Sequence, residues 1–182
     1  MTKRHVLFVH GGGGEAYEGD DNLARSLWEA LGPDFEVRYP QMPDGAAPQY
    51  RAWSGQISHE LSALDGEVVL VGHSLGGSIL LKHLSEERVE KPIAGVFLIA
   101  TPYWGTTDWE VGEFELREDF TATLPEDIPM FLYHSRDDEV VPFGHLALYA
   151  GRLPQATIRV FDARGHQFGD DLSEVAEDIG RL

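Results

Sequence analysis

"VVLVGHSLGGSILLKHL", residues 68–84, changes character at its centre. Val68–Gly72 is a short apolar run of strand length, and the residues after Gly76 follow a helical pattern. Between them Gly72-His73-Ser74-Leu75-Gly76 fits G-x-S-x-G, the strand-to-helix turn that exposes a serine hydroxyl. Such a turn needs glycines because flanking side chains collide with neighbouring backbone. A turn serine of no further importance requires neither a strand before it nor a helix after it, and both are present here. Ser74 is therefore the candidate nucleophile.

The same alternation runs along the whole chain. Val6–His10, Phe35–Tyr39, Val68–Gly72, Ile93–Ala100, Met130–Ser135 and Thr157–Phe161 read as buried strands. Trp53, Ile57, Leu61 and Leu64 recur at helical spacing, as do Leu172, Val175, Ala176, Ile179 and Leu182. Asp20, Asp21 and Asn22 offer an N-cap for a helix through Leu23, Leu27 and Leu31. Strand–helix alternation predicts a mostly parallel sheet with helices on both faces, a three-layer α/β/α sandwich. Its ligands bind beyond the carboxyl ends of the strands. A length of 182 residues fits one domain over 1–182. Residues 101–128 exceed a plain crossover and predict a lid-like excursion, with Tyr103, Trp104 and Trp109 as pocket walls.

Composition narrows the chemistry. The chain has no cysteine, which excludes disulfides, thiolate metal sites and a cysteine nucleophile. The net charge of -17, with lysine only at 3, 82 and 91, argues against nucleic acid or an anionic membrane as partner. No apolar run reaches membrane-span length, and Val6–Val9 is too short for a signal peptide, so a cytoplasmic location is expected. "HELSA" at His59 begins like a zinc-protease motif, but Ala63 stands where the second histidine belongs. No metal and no cofactor are expected.

Four strand ends carry the remaining candidates. "HGGGG" follows the first strand, "SRDDEVVP" the fifth and "ARGHQF" the sixth. His166, in the last of these, is the candidate general base, with Gly165 beside it to permit a turn. The other seven histidines lie in helices, in a strand, near the terminus, or within the glycine loop and the elbow themselves. Asp137 and Asp138 both qualify as the acid that fixes the tautomer of His166. Asp162 and Asp170 are nearer in sequence, which is no argument for residues that meet in space. An oxyanion needs backbone N–H donors; Leu75 is one, and Gly12, with Gly13 as the alternative, is the other. Gly11, Gly13 and Ala16 also satisfy a loose dinucleotide pattern, but the second strand ends "VRYP", without an acid for a ribose.

The order Ser74, Asp138, His166 is that of α/β-hydrolases. The chain resembles the small serine hydrolases grouped with retinoblastoma-binding protein 9. The likeness runs over nearly the whole length: the glycine loop, "YPQMPDGAAPQYRAW", the elbow, the D-x-V-V-P acid and the late "GH". That resemblance implies Ser74 as nucleophile, His166 as base and Asp138 as orienting acid. It also implies a minimal fold without a large cap, with strand order 2-1-3-4-5-6. The expected activity is hydrolysis of a carboxylic ester, or of an amide or thioester, in a small-molecule acyl substrate. The chain departs from the family in lacking a tryptophan soon after the glycine loop. A chain without cysteine cannot carry the cysteine-containing retinoblastoma-binding motif, so that partner role does not transfer.

Overall fold

A computed structural model describes residues 3–182. In chain order the elements are β1 (Arg4–Val9), α1 (Ala16–Gly19), α2 (Asp21–Leu31), β2 (Phe35–Arg38), α3 (Tyr50–Ala63), β3 (Val68–His73), α4 (Leu75–Glu86), β4 (Ile93–Ile99), α5 (Phe120–Thr123), β5 (Met130–Ser135), α6 (Gly144–Arg152), β6 (Thr157–Phe161) and α7 (Ser173–Gly180). The six strands form one sheet in the order β2-β1-β3-β4-β5-β6. Every neighbouring pair is parallel. This is the expected three-layer architecture and strand order. Among the described residues no helix is long and apolar enough to cross a membrane.

The continuous apolar runs exist because the central strands are covered on both faces. Side chains alternate along a strand, so Val6 and Phe8 join one core while Leu7 and Val9 join the other. The first core lies under α2 and α7, around Leu23, Leu27, Val175 and Ile179. The second lies under α3 to α6, around Trp53, Ile57, Ile79, Leu80 and Tyr149. Fully burying an aliphatic or aromatic side chain of this size is worth about 1.5–3 kcal/mol.

Two sequence expectations change. β6 is an edge strand, not a buried one: Ile158 and Val160 face outward and are exposed. An edge strand has a neighbour on one side only, and its partly covered positions are Thr157, Arg159 and Phe161. Asp20 makes no side-chain N-cap to α2. The short helix α1 delivers it to the sheet end with its carboxylate turned inward and buried.

Glycines bring the start of α4 against the sheet. A Cβ on Gly76 would lie 2.2 Å from the Val9 carbonyl oxygen and 2.4 Å from that of His10. One on Gly72 would lie 2.6 Å from the Gly77 backbone, and one on Gly77 would lie 2.2 Å from Thr101 Oγ1. Gly55, inside α3, has open space around the missing Cβ. Gly76→Ala should therefore destabilise the protein by about 3 kcal/mol or more, since backbone on two sides cannot yield. Gly55→Ala should stabilise it by about 0.5–1 kcal/mol through helix propensity. Urea unfolding of the two variants measures both signs; a Gly76→Ala protein as stable as wild type contradicts the packing described.

Candidate functional site

Strand order reverses between β1 and β3, because β1 connects to β2 on one side and the chain then crosses to β3 on the other. Ligand crevices of such sheets open beyond the strand ends at this point. Gly11 and Gly12 follow β1 there, and Ser74 follows β3. A cavity of about 580 Å³ is lined by both, together with Ala16, Glu18, Val140 and His166.

Ser74 has φ 51° and ψ -125°, a left-handed backbone for a residue with a side chain. Strain of this kind costs about 1–3 kcal/mol and persists only when neighbouring bonds over-determine it. Here Ser74 N–H donates to Ile99 O at 2.8 Å, and Ser74 O accepts from Gly77 N–H at 3.0 Å and Ser78 N–H at 3.4 Å. The serine is half-buried, with its side chain at the cavity.

His166 arrives from beyond β6 on a turn that Gly165 makes at φ 62°. Its Nδ1 lies 2.9 Å from Asp138 Oδ2 and 3.1 Å from Oδ1. A carboxylate accepts only, so Nδ1 carries the proton and Nε2 the lone pair. His166 N–H donates to Glu139 Oε2 at 3.2 Å.

Of the two acids left open above, Asp138 is the one brought to His166. Its Oδ1 accepts from the backbone N–H groups of Val140 and Val141 at 2.9 and 2.8 Å. Its Oδ2 also faces His134 Nε2 at 3.3 Å. Burial alone would raise the Asp138 pKa, but these donors and the two histidines hold it well below the usual carboxylate range. Asp137 instead points outward, accepting from Ser135 Oγ at 2.5 Å and from Gly165 N–H at 2.9 Å.

The two backbone donors divide in a similar way. Gly13 N–H is taken by Gly45 O at 2.7 Å, and Gly11 N–H by Asp20 Oδ2 at 2.9 Å. Among the described residues Gly12 N–H has no acceptor, and Leu75 N–H opens α4 at a position where a helix has none to offer. A Cβ on Gly12 would lie 2.6 Å from Leu75 Cδ2, so the glycine loop rests directly on the elbow.

Tyr103, Trp104 and Trp109 do not line the Ser74 cavity. The Tyr103 ring packs edge-on against Tyr149, while its N–H donates to His145 Nδ1 at 2.8 Å. Trp104 donates from Nε1 to Ser78 Oγ at 3.0 Å and packs on Trp109 and Phe114. Packed on one another and bonded to Ser78 of α4 and His145 of α6, these aromatics fasten their segment of residues 101–128 down. Among the described residues no cluster of three or more His, Asp or Glu side chains is arranged to hold a metal ion.

Two residues at the site were passed over in sequence. His73 is buried beside Ser74, and its Nδ1 lies 2.7 Å from Asp20 Oδ2. Its Nε2 donates to the backbone carbonyl of His166 at 3.0 Å. Gln167 Nε2 donates to Asp20 Oδ1 at 3.0 Å. No local pattern reveals the contact of His73 with Asp20, because the two are 53 residues apart.

Comparison with known proteins bears on the family. The fold matches the ydeN gene product of B. subtilis at 18% identity and TM-score 0.77, over 98% of each chain. It matches Arabidopsis thaliana SOBER1 at 15% identity and TM-score 0.73, over 99% of each chain. The esterase EaEST of Exiguobacterium antarcticum is similar at 15% identity and TM-score 0.68, over 99% of this chain and 91% of that one. No curated protein matches the sequence. The serine hydrolase family model matches residues 18–170, a span that includes Ser74, Asp138 and His166. With the α/β-hydrolase fold around it, that match decides the matter: the chain belongs to the serine hydrolase family.

Proposed function

We propose that this hydrolase cleaves carboxylic esters through an acyl-enzyme, with Ser74 as nucleophile, His166 as general base and Asp138 as the acid that orients it. The observation that carries the proposal is the hydrogen bond from His166 Nδ1 to Asp138, which leaves the Nε2 lone pair for the cavity that Ser74 also lines. Ser74 Oγ attacks the acyl carbon as His166 Nε2 takes its proton, and the carbonyl electron pair moves onto oxygen. The Gly12 and Leu75 N–H groups receive that oxyanion; one such donor is worth about 10²–10³ in kcat. Asp138, ionised throughout, stabilises the imidazolium. Collapse of the intermediate expels the alcohol, which takes the proton from His166. Water, deprotonated by the same nitrogen, then attacks the acyl-Ser74 ester; the acyl C–Oγ bond breaks, Ser74 Oγ takes the proton back from His166 Nε2, and the acid is released.

A fluorophosphonate probe tests the nucleophile directly. The wild type should label at Ser74, found by peptide mapping, and Ser74→Ala should not. A folded wild type that takes no label opposes the proposal and favours a binding role on this scaffold. Ser74→Ala and His166→Ala should each lower kcat/KM for a 4-nitrophenyl ester at least about 10⁴-fold, with little further loss when combined.

The acids should separate cleanly. Asn at 138 can still accept from Val140 and Val141, but its amide presents N–H to His166 and forces the proton onto Nε2. Asp138→Asn should therefore cost about 10⁴-fold in kcat. Asp137→Asn keeps an oxygen for Ser135 and Gly165 and should leave kcat/KM within about threefold. Steady-state kinetics on the purified variants measures both, and the reverse order moves the acid to Asp137.

Three glycines and Ala16 line the cavity with several polar side chains, and Val140 is the one larger apolar residue in its lining. Acetyl and butyryl esters should accordingly be turned over better than decanoyl or longer ones. A steady rise in kcat/KM with chain length contradicts this.

A further inference from the structure

Protonation of a buried histidine is legible from its partners, since each ring nitrogen either gives or receives a proton. His10 donates from Nδ1 to Gly11 O at 2.7 Å and receives Met42 N–H on Nε2 at 2.9 Å, so it is neutral. His145 receives Tyr103 N–H on Nδ1, so it is neutral too. His73 differs from both. Its Nε2 faces the His166 carbonyl and its Nδ1 faces the Asp20 carboxylate, two acceptors with no proton to offer. Both Asp20 oxygens already receive N–H donors, Gly11 on Oδ2 and Gln167 on Oδ1, which favours the ionised acid.

We propose that His73 is a buried imidazolium paired with the Asp20 carboxylate, and that this pair is the positioning element that holds the glycine loop and His166 on either side of Ser74. It builds on the roles proposed above for Ser74 and His166. A single run of hydrogen bonds passes from Gly11 through Asp20 and His73 to His166 O. The glycine loop is thereby fixed from one end and the base loop from the other. His73 is a positioning residue: it touches no reacting atom and acts through the backbone of His166.

The charges around it agree. Burial alone would lower the His73 pKa, but the Asp20 charge and hydrogen bond, with the His166 carbonyl, raise it above its ordinary value. Asp138, beyond β5, contributes in the same direction. For Asp20, burial pushes upward and His73 pulls down, to about 2. Near the pair, neutral His10 follows β1 and Glu18 lies on α1. The His166 ring stands 4.8 Å from that of His73, centroid to centroid. Asp170 lies at the same cavity. A raised folded pKa gives stability that is full below the unfolded value of about 6.5 and is lost as pH rises through the folded value. Deprotonation leaves His73 with one N–H, which stays with the carboxylate. The bond to His166 O is then the one released, and the base loop slackens at alkaline pH.

Proton-detected ¹H–¹⁵N spectra of the full chain, labelled at the histidine rings, test the charge without reference to activity. At pH 8 one histidine should keep both ring N–H protons, and that pair of signals should vanish in His73→Gln. Asp20→Asn should reduce His73 to a single ring proton. A wild-type spectrum at pH 8 with no doubly protonated ring overturns the proposal, and this holds even where His73→Gln fails to fold. The positioning role is read separately. His73→Gln and Asp20→Asn should lower kcat about tenfold or more, with KM within about twofold, and shift the alkaline limb of the kcat profile. Unchanged kcat in a folded variant overturns that role. A wild type that shows the two ring protons yet takes no fluorophosphonate label sinks the esterase reading and the positioning role, and leaves the imidazolium standing.

Discussion

The molecule depends on the close approach of the first turn of α4 to the end of β1. At Gly76 the two backbones meet where no side chain fits, with 2.2 Å between a built Cβ and the Val9 carbonyl oxygen. That contact places the helix start over the strand junction and leaves Ser74 the strained link between them. The strain is held by Ile99 from β4 on one side and by the helix's own Gly77 and Ser78 on the other. With Ser74 so fixed, the glycine loop after β1 has one place to lie, against Leu75. The candidate donors Gly12 and Leu75 come together as a consequence of packing before any chemistry is considered.

Charge is handled differently inside and outside. A net charge of -17 keeps the surface acidic, yet each buried carboxylate at the site is surrounded by donors. Asp138 has two backbone N–H groups and faces two histidines; Asp20 has one backbone N–H, a side-chain amide and one histidine. Burial of an unpaired charge is strongly destabilising, and removing one partner of a buried pair costs about 3–5 kcal/mol. Both acids therefore belong to the folding problem as much as to the chemistry. Of the three histidines that they face, His166 and His73 have different partners. His166 lines the cavity and is bonded to Asp138 at Nδ1, whereas both nitrogens of His73 are engaged by protein acceptors.

Much of this was legible in sequence, and for a common reason. A parallel sheet buried on two faces writes its strands as apolar runs, and the sheet's crevice makes the residues just after each run the ones to inspect. That logic singled out Ser74 and His166, which line one cavity, and the Asp137–Asp138 alternative, and the strand order came with the family resemblance. It misplaced what depends on the third dimension alone. Thr157–Phe161 has the composition of a buried strand, but its position at the edge is a property of the whole sheet. Asp20 looks like a helix cap because three capping residues stand together, and nothing local says that α1 turns it inward. His73 reads as part of the elbow alone, since its partners come from either end of the chain. Tyr103, Trp104 and Trp109 read as a pocket wall on length and composition, which do not reveal that Ser78 and α6 hold them away from the cavity.

The edge position of β6 leaves a difficulty that the loop after β5 resolves. The proposed role of His166 as base needs its ring aimed to within about half an ångström, yet His166 follows the least buried strand, whose outer face is in solvent. Core packing on β6 is too thin to aim it. The run Asp137-Asp138-Glu139 replaces packing with directional bonds: the first acid accepts Gly165 N–H, the second receives the His166 ring and the third accepts His166 N–H. Three successive acids thus grip two successive residues at different atoms, which fixes both the path of the loop and the rotation of the ring. From the opposite side His73 fastens the His166 carbonyl. The histidine is held at its N–H, its C=O and its ring, so its aim is independent of the weak strand that precedes it. This is why an edge strand suffices to carry it.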